Sequence, residues 1–298
     1  MLVRVDKYEQ KLSNLEKVFW QEENITKGDL IKYYLDIHEY LLPHLKSRPL
    51  VMKRYPDGIR GEFFYQKECP NYAPEWINKI TIEEKTMIVV DNIDTLIWCI
   101  NLGCIELHPW LSSIPNPQYP DILVFDLDPE PPAMFVHTLE VAFKIKKLLE
   151  AANLKGFPKT SGNEGLHIYV PIFPQYPFSI IKEVLKNLCI YLVDAFPGLV
   201  TMELIKEKRR GKVYLDYLQN GYGKTMASVY SVRPTENAPV STPLSWKEIE
   251  KGVNHKDFNI FTIKRRLDEK GDLFAPVFKE KQDFTPFVDI LFENKQDF

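Results

Sequence analysis

Asp126 and Asp128 stand one residue apart in "LVFDLDPEPP" (123–132), behind an apolar run and ahead of three prolines. In an extended strand successive side chains alternate faces, so both carboxylates point the same way, about 6.6 Å apart along the chain. Two like charges at that spacing repel by roughly 2–3 kcal/mol at an effective dielectric of about 20. Solvent, an arginine, a shared proton or a metal must offset that repulsion. A third carboxylate, Asp216, lies in "VYLDYLQN" (213–220). "TSGNEGLH" (160–167) adds Ser161, the backbone N–H groups of 162–165 and His167, and "LHPW" (107–110) adds His108. Small residues in such a turn let the backbone approach a phosphate closely. Three carboxylates with hydroxyl, histidine and arginine donors suit divalent metals that hold a triphosphate. A pair of Mg²⁺ or Mn²⁺ ions about 3.5–4 Å apart would activate a 3′-hydroxyl and stabilise a leaving pyrophosphate. In this reading metal offsets the aspartate repulsion.

Other chemistries also place paired aspartates at a strand end. A phosphatase of the haloacid dehalogenase type wants Thr or Val two residues after the second aspartate, where this chain has Glu130. It also wants a later paired-aspartate motif, which the sequence does not offer. A nucleotide-sugar transferase shares the metal logic but leaves "TSGNEGLH" and the basic runs without a purpose.

The elements that must position these residues are visible in the periodicity. "DILVFDLDP" (121–129) reads as a strand, with Ile122 and Val124 on the aspartate face and Leu123, Phe125 and Leu127 on the other. Both faces are mostly apolar, so the strand is central and carries the aspartates at its C-terminal end. "GFPKTSGNEGLHIYVPI" (156–172) is a Gly-rich turn leading into a strand, and "GKVYLDYLQN" (211–220) is a strand carrying Asp216. "ITKGDLIKYYLDIHEYLLPHL" (25–45) reads as a helix capped by Thr26, with Asp29 three residues on and Leu30, Tyr34, Ile37 and Leu41 at helical spacing. "TLIWCINLG" (95–103) predicts a short buried helix, and "SIIKEVLKNLCIYLVDAF" (179–196) a longer one. "FVHTLEVAFKIKKLLEAANL" (135–154) is helical, with Val136, Leu139 and Phe143 on one stripe. "RYPDGIRGEFFYQKECP" (54–70) is a turn followed by an aromatic run, and "PVSTPLSWKEI" (239–249) is a loop opening a short helix. A duplicated "KQDF" (281–284 and 295–298) is too short to mark a repeat.

With 298 residues, 45% of them hydrophobic, the chain can bury a sizeable core as one domain or two. No apolar run approaches the ~20 residues of a membrane helix, and no basic-then-apolar leader opens the sequence. It therefore reads as a cytoplasmic protein with no membrane partner. Cys69, Cys99, Cys104 and Cys189 fit neither a CxxC pair nor zinc knuckles and read as buried thiols. The net charge of −3 does not announce a nucleic-acid binder, but basic runs at 46–54, 206–212 and 264–266 would set local fields.

Taken in order, "HPW", "FDLDP", "TSGNEGLHIYVP", "VYLDYLQN" and "APVSTPLSW" closely resemble the polymerase domain of bacterial/archaeal ligase D, in the archaeo-eukaryotic primase superfamily. The likeness runs nearly end to end, from "LSNLEKVFW" (12–20) and "ITKGDLIKYY" (25–34) through "KRYPDGIRGEFFYQK" (53–67) to "GDLFAPV" (271–277). It implies an α/β (α+β) fold with a central antiparallel or mixed β-sheet catalytic core flanked by helices. It also implies a single primase-polymerase domain over 1–298 with two packed lobes, about 1–110 on the DNA-end-binding side and about 111–298 holding the catalytic core. The family's activity is template-directed nucleotide addition, preferring ribonucleotides, that fills gaps and extends DNA ends in non-homologous end joining.

Carried over by motif, Asp126, Asp128 and Asp216 would be catalytic metal ligands for two divalent ions, Mn²⁺ or Mg²⁺. Ser161, His167 and Arg233 (in "YSVRP") would hold the incoming triphosphate, and His108, Lys53 and Gln219 match further nucleotide-pocket positions. Lys17 and Lys27 match lysines that bind the downstream 5′-phosphate, although by sequence alone each is an exposed helix-end lysine. Phe64 and Tyr65 match residues that stack on template bases, with core packing as the plainer reading. The implied partners are double-stranded DNA ends and gaps with a 5′-phosphate, NTP or dNTP, a Ku-like end binder and a separate DNA ligase, in the cytoplasm and nucleoid of a prokaryote.

The chain departs from the pattern in places. Glu164 stands where relatives often carry lysine, Tyr65 where phenylalanine is usual, and "SVYSVRP" replaces the commoner "APYSLR". A ligase nucleotidyl-lysine motif would need lysine two residues before Asp57, and position 55 is tyrosine. The chain is thus expected to be an excised domain or a stand-alone polymerase. The rival readings are a non-catalytic module that bridges 5′-phosphorylated ends and a primase that starts strands de novo.

Overall fold

A computed structural model of the chain describes residues 1–293, so the second "KQDF" lies outside the described residues. The chain forms two compact units. One is built from 1–115, 225–242 and 256–272, the other from 116–224, 243–255 and the segment from 273 onward.

In the first unit, short strands β1 (Leu2–Arg4) and β2 (Glu9–Lys11) pair antiparallel, as do β3 (Val18–Trp20) and β4 (Ile25–Thr26). Helix α1 (Lys27–Leu45) starts at the predicted cap. The Asp29 N–H donates to Thr26 Oγ1 at 3.1 Å, and the Thr26 N–H donates to Asp29 Oδ2 at 2.8 Å. Its buried stripe includes Leu30, Tyr34, Ile37 and Leu41, as the spacing requires. Strands β5 (Pro49–Arg54), β6 (Phe64–Gln66), β7 (Lys79–Ile82), β8 (Lys85–Val89) and β9 (Cys104–Pro109) make an antiparallel sheet. β5 carries β9 along one edge and shares its other edge between β6 and β8. Helix α2 (Ile93–Asn101) is capped by Asn92, and the segment 225–242 is tied to β9 by the Ser228 N–H, which donates to the Leu107 carbonyl at 2.8 Å.

The second unit is organised around β10 (Ile122–Pro129). With β11 (Phe157–Thr160), β12 (Leu166–Pro171), β13 (Val200–Thr201) and β14 (Val213–Leu215), it forms a sheet in the order β11-β12-β10-β14-β13. All pairs are antiparallel except β13 with β14, so the sheet is mixed. β10 is central and apolar on both faces up to Phe125, as its sequence predicts. Helix α3 (Phe135–Ala151) packs on β10, β12 and β14, and α4 (Phe178–Ala195) packs on β13 and on the short 3₁₀ turn Tyr217–Asn220. Ser245 caps α5 (Trp246–Glu250) in a box with Glu248.

Three local expectations need correcting. The buried stripe of α3 is Phe135, Leu139, Ala142, Ile145 and Leu149, whereas Val136 is 57% exposed. Phe135, with its ring 4.5 Å from that of His255, sets the inward face, and Val136 lies about 100° further round. Asp216 is not within a strand, because β14 ends at Leu215 and Asp216 caps the 3₁₀ turn that follows. Among the four cysteines, Cys69 is only partly buried. No helix among the described residues is long and apolar enough to cross a membrane.

Candidate active site

In the second unit the ends of three strands bring the predicted carboxylates and the Gly-rich turn together. Register places Asp126 of β10 opposite His167 of β12, with His167 Nε2 3.3 Å from Asp126 Oδ1. The Asp216 N–H donates to the Asp126 carbonyl at 3.0 Å, which fixes the third aspartate beside the first. Asp128, opposite Tyr214, is the exposed member of the group. Asp216 is itself held from two sides, since the Leu218 N–H donates to its Oδ1 at 3.0 Å and Gln219 Nε2 to its Oδ2 at 3.1 Å. Gln219 thus braces an aspartate. Negative charge here is felt by Tyr214, whose phenol is pushed up to about 12 by burial, by Asp216 and, further off, by Asp126.

The turn 161–165 folds onto this strand end. The Ser161 N–H donates to the Gly165 carbonyl at 2.9 Å, and Ser161 Oγ accepts the N–H groups of Asn163 and Gly165, each at 3.1 Å. Two of the four N–H groups expected to cradle a phosphate are therefore directed at Ser161. Gly162 has φ +82°, a left-handed conformation that suits glycine. At Gly165 a Cβ would meet Asp128 Oδ1 at 2.6 Å and the Leu127 carbonyl oxygen at 2.7 Å, so the turn backbone lies directly against the aspartates. Lys159, fully buried on β11 opposite His167, places Nζ 2.9 Å from His167 Nδ1. An ammonium has only N–H to offer, so Nδ1 accepts and the Nε2–H faces Asp126.

The donor set at this strand end is carboxylate oxygen, which suits hard cations such as Mg²⁺ and Mn²⁺. Among the described residues no three His, Cys, Asp or Glu side chains come together as a metal cage. Mg²⁺ is commonly held by one or two carboxylates, with water and substrate phosphates completing its shell. An exposed Asp128 beside a buried Asp126 fits a site of that incomplete kind.

The first unit gathers Lys53, His108 and Arg233 around a residue the sequence reading passed over, Glu106. Glu106 is fully buried on β9, opposite Lys53 of β5. Lys53 Nζ donates to its Oε1 at 2.7 Å, while His108 Nε2 lies 3.1 Å and Arg233 Nη1 3.0 Å from its Oε2. Burial alone would raise the Glu106 carboxyl, but the bond from His108, the charge of Arg233 and the bond from Lys53 win and hold it at about 2. Burial lowers His108 despite the adjacent carboxylate. It also works against Lys53, where the bond to Glu106 prevails and raises the ammonium.

Phe64 and Tyr65 are 45% and 52% exposed, so neither is core. As neighbours on β6 they face opposite ways. Tyr65 meets His108 edge-on at 6.0 Å, whereas Phe64 lies under the Arg54 guanidinium at 5.0 Å. Lys17 is half-buried and ion-paired to Asp57. Lys27, contrary to the expectation of an exposed helix end, is buried, and its Nζ donates to the Ser13 carbonyl at 2.6 Å and to Asn101 Oδ1 at 2.9 Å. Its N–H donates to the Lys17 carbonyl at 2.8 Å, which keeps the two lysines together.

The sequence profile described as LigD, primase-polymerase domain, matches residues 26–274. The chain belongs to that family. It is 33% identical over 287 residues to the bifunctional non-homologous end joining protein LigD of Bacillus subtilis, covering 96% of this chain and 47% of that protein. To the multifunctional non-homologous end joining protein LigD of Mycolicibacterium smegmatis it is 32% identical, covering 92% of this chain and 37% of that protein. It thus spans less than half the length of these relatives. Among solved structures, the polymerase domain from Mycobacterium tuberculosis ligase D in complex with DNA superposes with a TM-score of 0.85 at 30% identity. The match covers 92% of this chain and 99% of that one.

As a LigD primase-polymerase domain, the chain has the expected mixed α/β build with antiparallel and mixed sheets. Glu106 and Lys159 escaped the sequence reading, yet signals for both were present. In "CIELHPW" strand alternation puts Glu106 and His108 on one face, and "PKTSG" places a lysine immediately before the turn.

Proposed function

We propose that the chain is a metal-dependent, template-directed nucleotidyltransferase that fills gaps and extends DNA ends in non-homologous end joining, with a preference for ribonucleotides. The observation that carries this reading is the approach of the Gly165 backbone to Asp128, with Asp126 and Asp216 joined by a backbone hydrogen bond at the same strand end. Asp126, Asp128 and Asp216 would hold two divalent ions, Mn²⁺ or Mg²⁺. Ions held there supply an activated 3′-hydroxyl on the primer and charge neutralisation for the departing pyrophosphate. Ser161 and His167 serve the triphosphate, and Lys159 and Gln219 keep His167 and Asp216 in position. Lys53, His108 and Arg233 contact the nucleotide, and the exposed rings of Phe64 and Tyr65 are available to bases, at about 1–3 kcal/mol per stacked base. The partners in this reading are broken DNA, a Ku-like end binder and a DNA ligase.

Lys17 and Lys27 are assigned to the downstream 5′-phosphate, and Lys27 gives that assignment a pH dependence. Burial, followed by the charges of Lys17 and Arg54, lowers its ammonium from 10.5 to about 8. The unfolded chain keeps that proton to higher pH, so folding stability attributable to Lys27 rises as pH passes from about 8 towards 10.5. Phosphate attraction runs the other way and fades as the charge is lost. The preference for a gapped duplex with a 5′-phosphate over one with a 5′-hydroxyl is expected to fall several-fold between pH 7 and pH 9. Equilibrium binding at the two pH values checks this, and a preference that holds or grows at pH 9 removes Lys27 from the contact.

Extension of that gapped duplex with ribonucleotides or deoxyribonucleotides tests the function itself. Faster addition of ribonucleotides, stimulated by the 5′-phosphate, is the expected result. Phosphate-dependent binding with no addition of either nucleotide would point to the end-bridging module instead, and synthesis without a primer to a de novo primase.

A further inference from the structure

The geometry points to Glu106 as a positioning residue that presents Lys53, His108 and Arg233 as one preformed array for the incoming nucleotide. The inference rests on the polymerase reading and goes beyond it by assigning a role to a residue that does not itself touch substrate.

A carboxylate has about four lone-pair positions, and four groups occupy them here. Lys53 Nζ at 2.7 Å and Tyr55 OH at 3.4 Å meet Oε1, while His108 Nε2 at 3.1 Å and Arg233 Nη1 at 3.0 Å meet Oε2. Lys53 lies on β5 with Tyr55 just past its end, His108 on β9 and Arg233 in the 225–242 segment, so one side chain ties together three stretches of chain. The exposures decide what the cluster can do. The Glu106 side chain is 1% exposed, whereas those of Lys53, His108 and Arg233 are 14%, 10% and 17% exposed. The carboxylate is the floor, and the nitrogen donors form a layer above it that reaches solvent. Lys53 and Arg233 against one carboxylate leave that layer net positive, with the Phe63 ring 4.4 Å from Lys53 Nζ and the Tyr65 ring 5.6 Å from it. An ion pair serving stability alone gains nothing from such an excess of cations at its outer edge. A surface that must accept an anion without first rearranging does gain from it.

Glu106→Gln keeps the shape but replaces one acceptor edge with an amide NH₂ that faces existing donors. In gap extension the KM for the nucleoside triphosphate should rise tenfold or more, with kcat within about threefold, while binding of the 5′-phosphorylated duplex alone stays unchanged. Glu106→Asp, which keeps the charge on a shorter arm, should recover part of the KM. A folded Glu106→Gln with unchanged KM would make Glu106 purely structural. A lowered KM would make it a counter-charge that competes with the nucleotide, and loss of folding in both variants would assign it to stability. Each of these outcomes overturns the proposal. Should the wild type add no nucleotide, the polymerase reading fails, and equilibrium binding of ATP to wild type and Glu106→Gln still reads the array. Weaker ATP binding by the variant then supports the positioning role, and equal binding overturns it.

Discussion

Asp128→Ala should lower templated extension by at least about 10³-fold, equivalent to about 4 kcal/mol of transition-state stabilisation, while barely changing the unfolding midpoint. Asp128 is the exposed member of the aspartate group, at the end of a strand whose interior is apolar through Phe125. Exposed positions of this kind usually change stability by no more than about 0.5 kcal/mol when substituted. Its place against the Gly165 backbone gives it a different importance in the proposed metal site, where a lost ligand would leave the triphosphate to complete too little of the shell. Single-turnover extension with Mn²⁺, alongside thermal unfolding, separates the two effects. Residual extension above a tenth of wild type would remove Asp128 from the metal site. A large drop in unfolding midpoint would make it a structural residue.

Gly165→Ala should be nearly as damaging by another route. The added Cβ has 2.6 Å to Asp128 Oδ1 and 2.7 Å to the Leu127 carbonyl oxygen, and 3.3 Å to Ser161 Oγ. The Leu127 carbonyl belongs to a residue paired on both sides, with Leu166 and with Leu215, so β10 cannot easily retreat. The turn moves instead, taking Ser161 with it, or Asp128 swings away. Overpacking of this kind costs about 1–3 kcal/mol, and a displacement of about 1 Å at a reacting centre costs about 10²-fold in rate. Gly198→Ala is the matching control, since a Cβ there meets nothing within 4 Å. Urea unfolding and extension rate measured on both variants should show losses at 165 and none at 198. Equal behaviour of the two would mean that the contact of the turn with Asp128 is unimportant.

Much of this site is legible in the sequence because it depends on short-range pattern. The alternation of "ILVFDLD" identifies β10 as a central strand with its aspartates at the end, and the Thr26–Asp29 spacing marks the start of α1. What escapes the sequence depends on pairing between distant strands. That Lys53 stands opposite Glu106 follows from β5 pairing with β9, and that Lys159 stands opposite His167 follows from the register of β11 on β12. Neither register can be read from the local pattern of one strand. The burial of Lys27 is of the same kind, since its partners Ser13 and Asn101 come from a loop and a helix end far along the chain. Asp216 was misplaced by one residue for a local reason. "VYLDYLQN" keeps a strand-like composition past the point where Asp216 turns back to accept the Leu218 N–H.

The most direct test of the central claim is single-nucleotide extension of a gapped, 5′-phosphorylated duplex by the wild-type chain. It should be run with Mn²⁺ and with a chelator, and with the complementary and a non-complementary ribonucleotide. Addition of the complementary nucleotide with metal, and none with chelator, is the predicted result. Addition that persists without metal, or that ignores the template base, would contradict the account.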